Sequence, residues 1–207
     1  MRPPPCTCAN AITVPTMEAK NPAVAVFDLD FTLWPLDVDC MRTPFALARG
    51  GGAVSADGDT LAPYPEASAC LASLFDAGVR IAYASRTHDP AAAEALLKLL
   101  PLPSRRPGLT LWDALRGERE LFQAYPSRGG RAKADHFARI AAASGEPFSA
   151  MVFFDDMPDN ISEAEKQGTV STRVSGGLTL AALREGLGRW RERYGGGGGG
   201  GGARAPG

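Results

Sequence analysis

The sequence has no long apolar run and no excess of either charge. Its apolar stretches fall well short of the ~20 residues that a membrane-spanning helix needs. The 207 residues carry 22 Lys and Arg against 23 Asp and Glu, which gives a net charge of −1. This balance offers no electrostatic attraction to nucleic acid or to an anionic membrane. We therefore predict a globular protein with neither a nucleic-acid nor a membrane partner.

Cysteine and targeting signals are also scarce. The four cysteines include Cys6 and Cys8, which could form half of a metal site, but no second Cys/His pair at ligand spacing accompanies them. Reduced thiols are the favoured interpretation. The first twenty residues lack the continuous apolar core of a secretory signal and are poor in arginine. We predict a cytoplasmic location, with organelle targeting left open as the alternative.

Both ends of the chain differ in composition from its middle. Residues 1–20 are proline-rich and aperiodic, which predicts a disordered segment. Residues 195–207 begin with eight consecutive glycines and predict a flexible tail. The remaining residues, 21–194, have the length of one domain.

Within that domain, short apolar runs alternate with amphipathic segments. The predicted strands are 23–27, 79–85, 121–125, 150–156 and 169–175. The predicted helices are 65–78, 89–100, 132–145, 160–168 and 178–194. Strands that are apolar throughout and alternate with helices predict an α/β fold: a doubly wound, Rossmann-like parallel sheet with helices on both faces.

Polar residues suited to chemistry follow the predicted strands. The first strand is followed by Asp28 and Asp30, the second ends at Ser85 with Arg86 after it, and the fourth ends at Asp155 and Asp156, while Lys133 opens the third helix. Ligands of open parallel sheets bind beyond the carboxyl ends of the strands. We therefore expect these side chains to share one crevice.

Asp28 and Asp30 are two residues apart, so their side chains share a face wherever the strand persists. Two close carboxylates repel each other unless a cation or a reacting group lies between them. One of them can act as a nucleophile while the other, in a different environment, acts as acid and base. The alternative interpretation is a pair of solvated aspartates in a turn.

Asp155 and Asp156 form a second acidic pair. Carboxylates from two strand ends suit magnesium, which binds through one or two carboxylates together with a substrate phosphate. The alternative is capping of the next helix, since aspartate binds the free N–H groups there. We assign that role to Asp159, which directly precedes the predicted helix, because the pair lies too close to the strand for capping to explain both residues.

Ser85 and Lys133 could hold a phosphate. Ser85 precedes a helix with Asp89 as its predicted cap, and a hydroxyl beside backbone amides can cradle a phosphate. Lys133 could bind a phosphate oxygen and offset the carboxylates. His88 and His136 are single and lie on or beside helices, so we interpret them as structural or surface residues. Together these groups predict phosphoryl transfer with magnesium.

The motifs also resemble those of a known family. The stretch VFDLDFT resembles the DxDxT signature of the haloacid dehalogenase superfamily, and Ser85 in YASRT, Lys133 in AKADHF and the stretch FFDD resemble its other three motifs. Longer stretches, including AVFDLDFTLWP, YPSRGGRAKADHFARI and GEPFSAMVFFDDMPDNI, resemble the magnesium-dependent phosphatase family. The resemblance runs from about residue 23 to about residue 187.

The resemblance implies catalytic and metal-binding roles. Asp28 would be the nucleophile that becomes an aspartyl-phosphate. Asp30 would be the general acid and then the base, and would give its backbone carbonyl to Mg²⁺. Asp156 would be the carboxylate on the metal, with Asp155 beside it as a ligand or a support.

It also implies how the substrate is bound. Ser85, Arg86 and Lys133 would bind the phosphate and the substrate. The family has no large cap domain, and residues 31–63 are expected to form only a turn and a flap. Phosphotyrosine proteins and phosphosugars of the fructosamine-phosphate type are the implied substrates, and we expect a monomer.

The sequence departs from the family pattern at two places, and two alternative functions have to be considered. The stretch LDVD, residues 36–39, stands where the family usually has an aromatic residue, and a longer SRGGRAK segment lets Arg128 or Arg131 compete with Lys133. One alternative function is a phosphomutase-like phosphotransferase or phosphonate hydrolase, disfavoured because no cap is predicted. The other is a non-catalytic phosphate-binding module, disfavoured because every motif is present.

Overall fold

The computed structural model describes residues 20–49, 51–126 and 133–195. The strands, in chain order, are β1 Val24–Phe27, β2 Ala46–Leu47, β3 Ala53–Val54, β4 Thr60–Leu61, β5 Arg80–Ser85, β6 Phe122–Ala124, β7 Met151–Asp155 and β8 Val170–Arg173. The α-helices are α1 Ala67–Asp76, α2 Pro90–Leu99, α3 Ala134–Ser144, α4 Pro158–Lys166 and α5 Leu180–Trp190.

The main sheet has the order β6-β5-β1-β7-β8, and all its strands run parallel. Successive strands extend the sheet from β1 to one side through β5 and β6, and then to the other side through β7 and β8. The strand order therefore reverses beside β1, and this is the point of a doubly wound sheet at which ligands bind. The predicted α/β fold is confirmed.

Helices cover both faces of this sheet because its strands are apolar on both sides. Phe27 and Phe154 stack with their ring centroids 5.2 Å apart, and α5 passes close to the Phe154 ring. On the other face, Phe153 meets Phe137 of α3 edge to face at 4.9 Å. Since neighbouring residues of a strand point to opposite faces, β7 contributes core side chains to both faces of the sheet.

The described residues between β1 and α1 form no large cap domain. A 3₁₀ turn, Val38–Cys40, follows β1, and β2, β3 and β4 then pair as a small antiparallel sheet, which we call the flap. Sequence analysis predicts a turn and a flap over residues 31–63, and the described residues match that prediction.

Some helix ends differ from their predicted positions. Asp89 caps α2 as predicted, since its side chain accepts a hydrogen bond from the Ala92 amide at 2.9 Å. The prediction that Asp159 caps the fourth helix is wrong. Helix α4 begins at Pro158 with Met157 as the preceding residue, so Asp159 lies inside the first turn. Proline is common at the first helical position because the N–H group of that position has no partner within the helix, and proline lacks this group.

Several predicted segments lie outside the described residues, including residues 1–19, the segment 127–132 with Arg128 and Arg131, and residues 196–207. In the ranges that the structure does describe, Cys40 and Cys70 are free thiols. None of the helices in those ranges combines the length and the apolar character needed to span a bilayer.

Candidate active site

A cavity of about 430 Å³ opens at the carboxyl edge of the main sheet. It is lined by most of the residues that the sequence singles out: Asp28, Asp30, Ser85, Arg86, Lys133 and Asp156. Asp155 ends β7 and is completely buried. The structure therefore brings the predicted site residues together, because β1, β5 and β7 are adjacent and end at the same edge.

Lys133 is the central cation of the cavity. It stands at the start of α3, and its side chain is 1% exposed. The Nζ atom donates to Asp28 Oδ1, to Asp155 Oδ2 at 2.6 Å and to the Ala84 carbonyl at 2.6 Å. Burial alone would lower the pKa of Lys133, but the charges of Asp28 and Asp155 outweigh it and raise that pKa. Lys133 is therefore a cation with all three N–H groups used.

Asp28 is buried directly after β1. Its Oδ1 contacts Lys133, and its Oδ2 accepts a hydrogen bond from Thr32 Oγ1 at 3.2 Å. Burial raises the pKa of Asp28 to about 7; the ammonium of Lys133 opposes the rise, and the charge of Asp155 adds to it. A further cation at this point would favour the carboxylate form that a nucleophile requires.

Asp30 lines the same cavity but meets different partners. Its Oδ1 accepts hydrogen bonds from Trp34 Nε1 at 2.7 Å and from the Val38 amide at 3.1 Å. Burial raises the pKa of Asp30 to about 6, against the effect of these two hydrogen bonds. A carboxyl group that titrates near neutral pH can both give and take a proton, as general acid–base catalysis requires. Sequence reasoning did not identify Trp34 or Val38 as its partners.

Three carboxylates could hold a metal ion together. Oxygen atoms of Asp28, Asp155 and Asp156 lie within 4.8 Å of one another. Asp155 is oriented by the Asn160 side-chain amide, 3.0 Å from both oxygens, and by the Met157 amide at 2.7 Å. An all-oxygen, carboxylate-rich group fits Mg²⁺ rather than a softer metal.

Two further features affect this metal group. Burial and the neighbouring charge of Asp155 raise the pKa of the half-buried Asp156, which a bound cation would reverse. The Asp30 carboxylate is not in the group, because it is turned toward Trp34 and Val38. Its backbone carbonyl as a metal ligand stays a prediction.

The loop after β5 carries the predicted phosphate-binding residues. Ser85 is buried, and its Oγ accepts a hydrogen bond from the Thr87 amide at 3.3 Å, while Arg86 is exposed and lines the cavity. His88 lies at the surface, with Nδ1 3.1 Å from Asp39 Oδ2. Both residues therefore line the same cavity, Ser85 at its buried end and Arg86 at its exposed end.

His136 is a buried structural residue rather than a surface one. Its Nε2 lies 2.9 Å from the Ser85 carbonyl and 3.0 Å from the Tyr125 carbonyl, and its ring stacks on Tyr125 with centroids 4.1 Å apart. Burial, followed by the charge of Lys133, lowers the pKa of His136 to about 4. The neutral ring thus donates to both carbonyls and links the ends of β5 and β6.

Known proteins share this sequence pattern over nearly all of the described domain. A family model described as Acid Phosphatase matches residues 20–193. The chain is 36% identical over 172 residues to Magnesium-dependent phosphatase 1 of Homo sapiens, a match that covers 82% of this chain and 87% of that one. It is 34% identical over 153 residues to a HAD-like hydrolase superfamily protein of Schizosaccharomyces pombe, covering 71% and 82% of the two chains.

Solved structures support the fold. The N-terminal part of a Bacteroides fragilis protein containing a phosphatase domain, complexed with Mg, superposes with a TM-score of 0.52 at 20% identity, over 80% of this chain and 40% of that one. CbbY from Rhodobacter sphaeroides, in complex with phosphate, also gives a TM-score of 0.52, at 14% identity, over 78% and 99%. At such identities these likenesses show the fold alone. Because the family model and the human relative each match most of its length, the chain belongs to the magnesium-dependent phosphatase family of the haloacid dehalogenase superfamily and is a phosphatase.

Proposed function

We propose that this protein is a magnesium-dependent phosphomonoesterase that works through an aspartyl-phosphate on Asp28. The observation that carries this proposal is the buried Lys133 ammonium between Asp28 and Asp155, beside the third carboxylate, Asp156. Nothing in the packing of a parallel sheet requires these charges at one edge. Charges gathered in a cavity, with several pKa values displaced, are typical of a catalytic site.

The acidic group would hold the metal. Asp28, Asp155 and Asp156 supply the carboxylate oxygens, and bound Mg²⁺ supplies positive charge that neutralises the oxygens of the phosphate. The names of the human relative and of the Bacteroides fragilis structure, each mentioning magnesium, support this assignment.

The protein's own residues account for the remaining steps. Lys133 holds Asp28 in place and places positive charge beside the transferring group, and the Asp28 carboxylate attacks phosphorus. Asp30, held by Trp34 and the Val38 amide, protonates the departing oxygen and later takes a proton from the attacking water. Ser85 and Arg86 bind the phosphate and the substrate at the same edge.

The substrate is proposed on the shape of the cavity. Between β1 and α1 the described residues form only a turn and the small flap, so no cap domain encloses the leaving group. Phosphotyrosine proteins and phosphosugars of the fructosamine-phosphate type both fit such an open site, and we propose these classes together with a monomeric enzyme. The cytoplasmic location stays a prediction. No observation favours a phosphomutase or a non-catalytic module.

The direct test measures hydrolysis of an aryl phosphate with and without metal. Turnover should disappear in excess chelator and return with Mg²⁺, while Ca²⁺ should substitute poorly because its larger, looser coordination shell misplaces the reacting groups. Undiminished turnover in chelator would refute the metal requirement. A panel of phosphosugars, phosphopeptides and nucleotides then ranks the substrates by kcat/KM.

A further inference from the structure

The 3₁₀ turn Val38–Cys40 contacts two separate parts of the active site. The Val38 amide donates to Asp30 Oδ1 at 3.1 Å. The next residue, Asp39, directs its carboxylate to the loop that follows β5 and carries Ser85 and Arg86. Because these contacts come from adjacent residues, a shift of the turn would disturb the proton donor and the phosphate-binding loop together.

The Asp39 carboxylate gathers donors from three consecutive residues of that loop. It accepts a hydrogen bond from Thr87 Oγ1, from the His88 amide at 3.0 Å to each oxygen, and from the Asp89 amide at 3.1 Å. The His88 ring adds a contact at 3.1 Å. These donors lie 48 to 50 residues away in sequence, so the contacts join two distant segments.

Thr87 extends this network to the phosphate-binding serine. Its hydroxyl donates to Asp39, and its amide donates to Ser85 Oγ at 3.3 Å. Thr87 is itself buried. A continuous series of hydrogen bonds therefore runs from Asp39 through Thr87 to the Ser85 hydroxyl in the cavity.

Asp39 is ionised in this arrangement. Burial would raise the pKa of Asp39, but the hydrogen bonds from Thr87, His88 and Asp89 outweigh it and hold that pKa below its usual value. Hydrogen bonds to a charged acceptor are about twice as strong as those between neutral groups. The ionised Asp39 carboxylate is therefore well suited to hold the loop after β5 in one conformation.

We propose that Asp39 is a positioning residue for phosphate binding, which holds the Ser85–Asp89 loop against the turn that also supports Asp30. The inference rests on the proposed phosphatase function, since the loop matters only if a phosphate binds there. The Asp39 carboxylate lies at the wall of the cavity, but donors of the Ser85–Asp89 loop occupy both of its oxygens. Its effect reaches the phosphate through Thr87 and Ser85, so it should alter binding more than the chemical step.

The test compares steady-state constants of Asp39 variants in the full-length magnesium-bound enzyme. For Asp39→Ala, both KM for an aryl phosphate and Ki for inorganic phosphate should rise about tenfold or more, as for the loss of hydrogen bonds to a charged group, with a smaller change in kcat. Asp39→Asn keeps one acceptor oxygen and should fall between Asp39→Ala and the wild type. The matched control is Asp57→Ala, since Asp57 is an exposed aspartate in the turn between β3 and β4 whose carboxylate pairs loosely with Arg42, at 3.6 Å.

A double-variant cycle distinguishes positioning from general destabilisation. Thr87→Val removes a hydroxyl that donates to Asp39 and also accepts a hydrogen bond from the Asp89 amide at 2.9 Å, so its effect on Ki should be smaller, but not zero, when Asp39 is already alanine. Additive effects, or an Asp39→Ala enzyme with unchanged KM and Ki, would overturn the proposal. If the alanine variant fails to fold, Asp39→Asn and Thr87→Val give the same comparison. An inactive wild type would instead refute the phosphatase function itself.

Discussion

At the scale of single residues, Asp28 and Asp30 are close in sequence but differ in their partners. Asp28 contacts a buried ammonium, whereas Asp30 is held by an indole and a backbone amide. The Asp28→Asn enzyme should lose both turnover and covalent labelling, because an amide is not a nucleophile here. The Asp30→Asn enzyme should still be labelled by an activated aryl phosphate, whose leaving group needs little protonation, and should accumulate phosphoenzyme because hydrolysis lacks its base.

Intact-mass measurement after acid quench detects this adduct directly. Asp57→Asn provides the control, since Asp57 is exposed and forms a loose ion pair with Arg42. An adduct that persists in Asp28→Asn, or that maps to Ser85, would contradict the assignment of the nucleophile.

Lys133 should affect both catalysis and stability. In Lys133→Ala, turnover should fall about 100-fold or more, as when one preorganised electrostatic group is lost. Asp28 and Asp155 would also lose their buried counter-charge, so the free energy of unfolding should fall by about 3–5 kcal/mol in metal-free protein. Urea denaturation measures the second effect.

Lys98→Ala is the matched control for Lys133, because the exposed pair of Lys98 with Glu94 is worth about 1 kcal/mol at most. Arg128→Ala and Arg131→Ala test the alternative that the sequence left open. If either lowers turnover more than Lys133→Ala does, the phosphate-binding role belongs to that arginine.

At the scale of elements, α5 offers two glycines in contrasting surroundings. A Cβ added to Gly186 would lie 2.8 Å from the Phe154 ring and 2.8 Å from Thr172 Oγ1, whereas one added to Gly188 would meet nothing within 4 Å. Gly186→Ala should destabilise the protein by about 1–3 kcal/mol through overpacking. Gly188→Ala should stabilise it by roughly 0.5–1 kcal/mol, because alanine favours a helix. Equal effects in thermal unfolding would contradict this account of how α5 packs.

The element pattern could be predicted because it follows from local chemistry. Apolar runs gave the main strands, and Asp89 marked the start of α2. The start of α4 was missed because Pro158 sets it, two residues before the predicted start. The strands of the flap have two residues each, too few to show any periodicity.

The site was predictable to the extent that it lies at strand ends. Asp28 directly follows β1, and Ser85 and Asp155 end the neighbouring strands β5 and β7, so the topology alone brings them together. The contacts of Trp34 and Asp39 were not predictable, because they depend on the path of the loop after β1. His136 could be placed on the third helix from the sequence, but its burial against two strand ends could not be predicted.

At the scale of the whole molecule, the acid sensitivity of folding contains a contribution from His136. Its pKa is about 4 in the folded protein against 6.5 in the unfolded chain, so the unfolded state binds the proton more readily. This contribution to stability is therefore complete above pH 6.5 and is lost as the pH falls toward 4. A shift of this size corresponds to about 3 kcal/mol.

The measurement is the difference between wild type and His136→Gln in urea denaturation of metal-free protein at pH 7 and pH 4. The difference is needed because Asp28 and Asp30, whose pKa values are raised, contribute in the opposite direction and favour the folded state at low pH. The wild type should lose about 3 kcal/mol relative to the variant over this interval. A difference independent of pH would show that His136 is not buried in its neutral form.

The central position of β1 has a consequence for biosynthesis. The ribosome makes this strand before either of its partners, since Val24 pairs with Arg80 on one side and with Met151 on the other. At about 5–20 residues per second, the second partner appears roughly ten seconds after the first strand has emerged. Until then the unpaired N–H and C=O groups along one edge of this apolar strand can form hydrogen bonds with other chains. Chains truncated before β7 should therefore aggregate during cell-free translation and require a chaperone, whereas chains extending through α5 should remain in the supernatant.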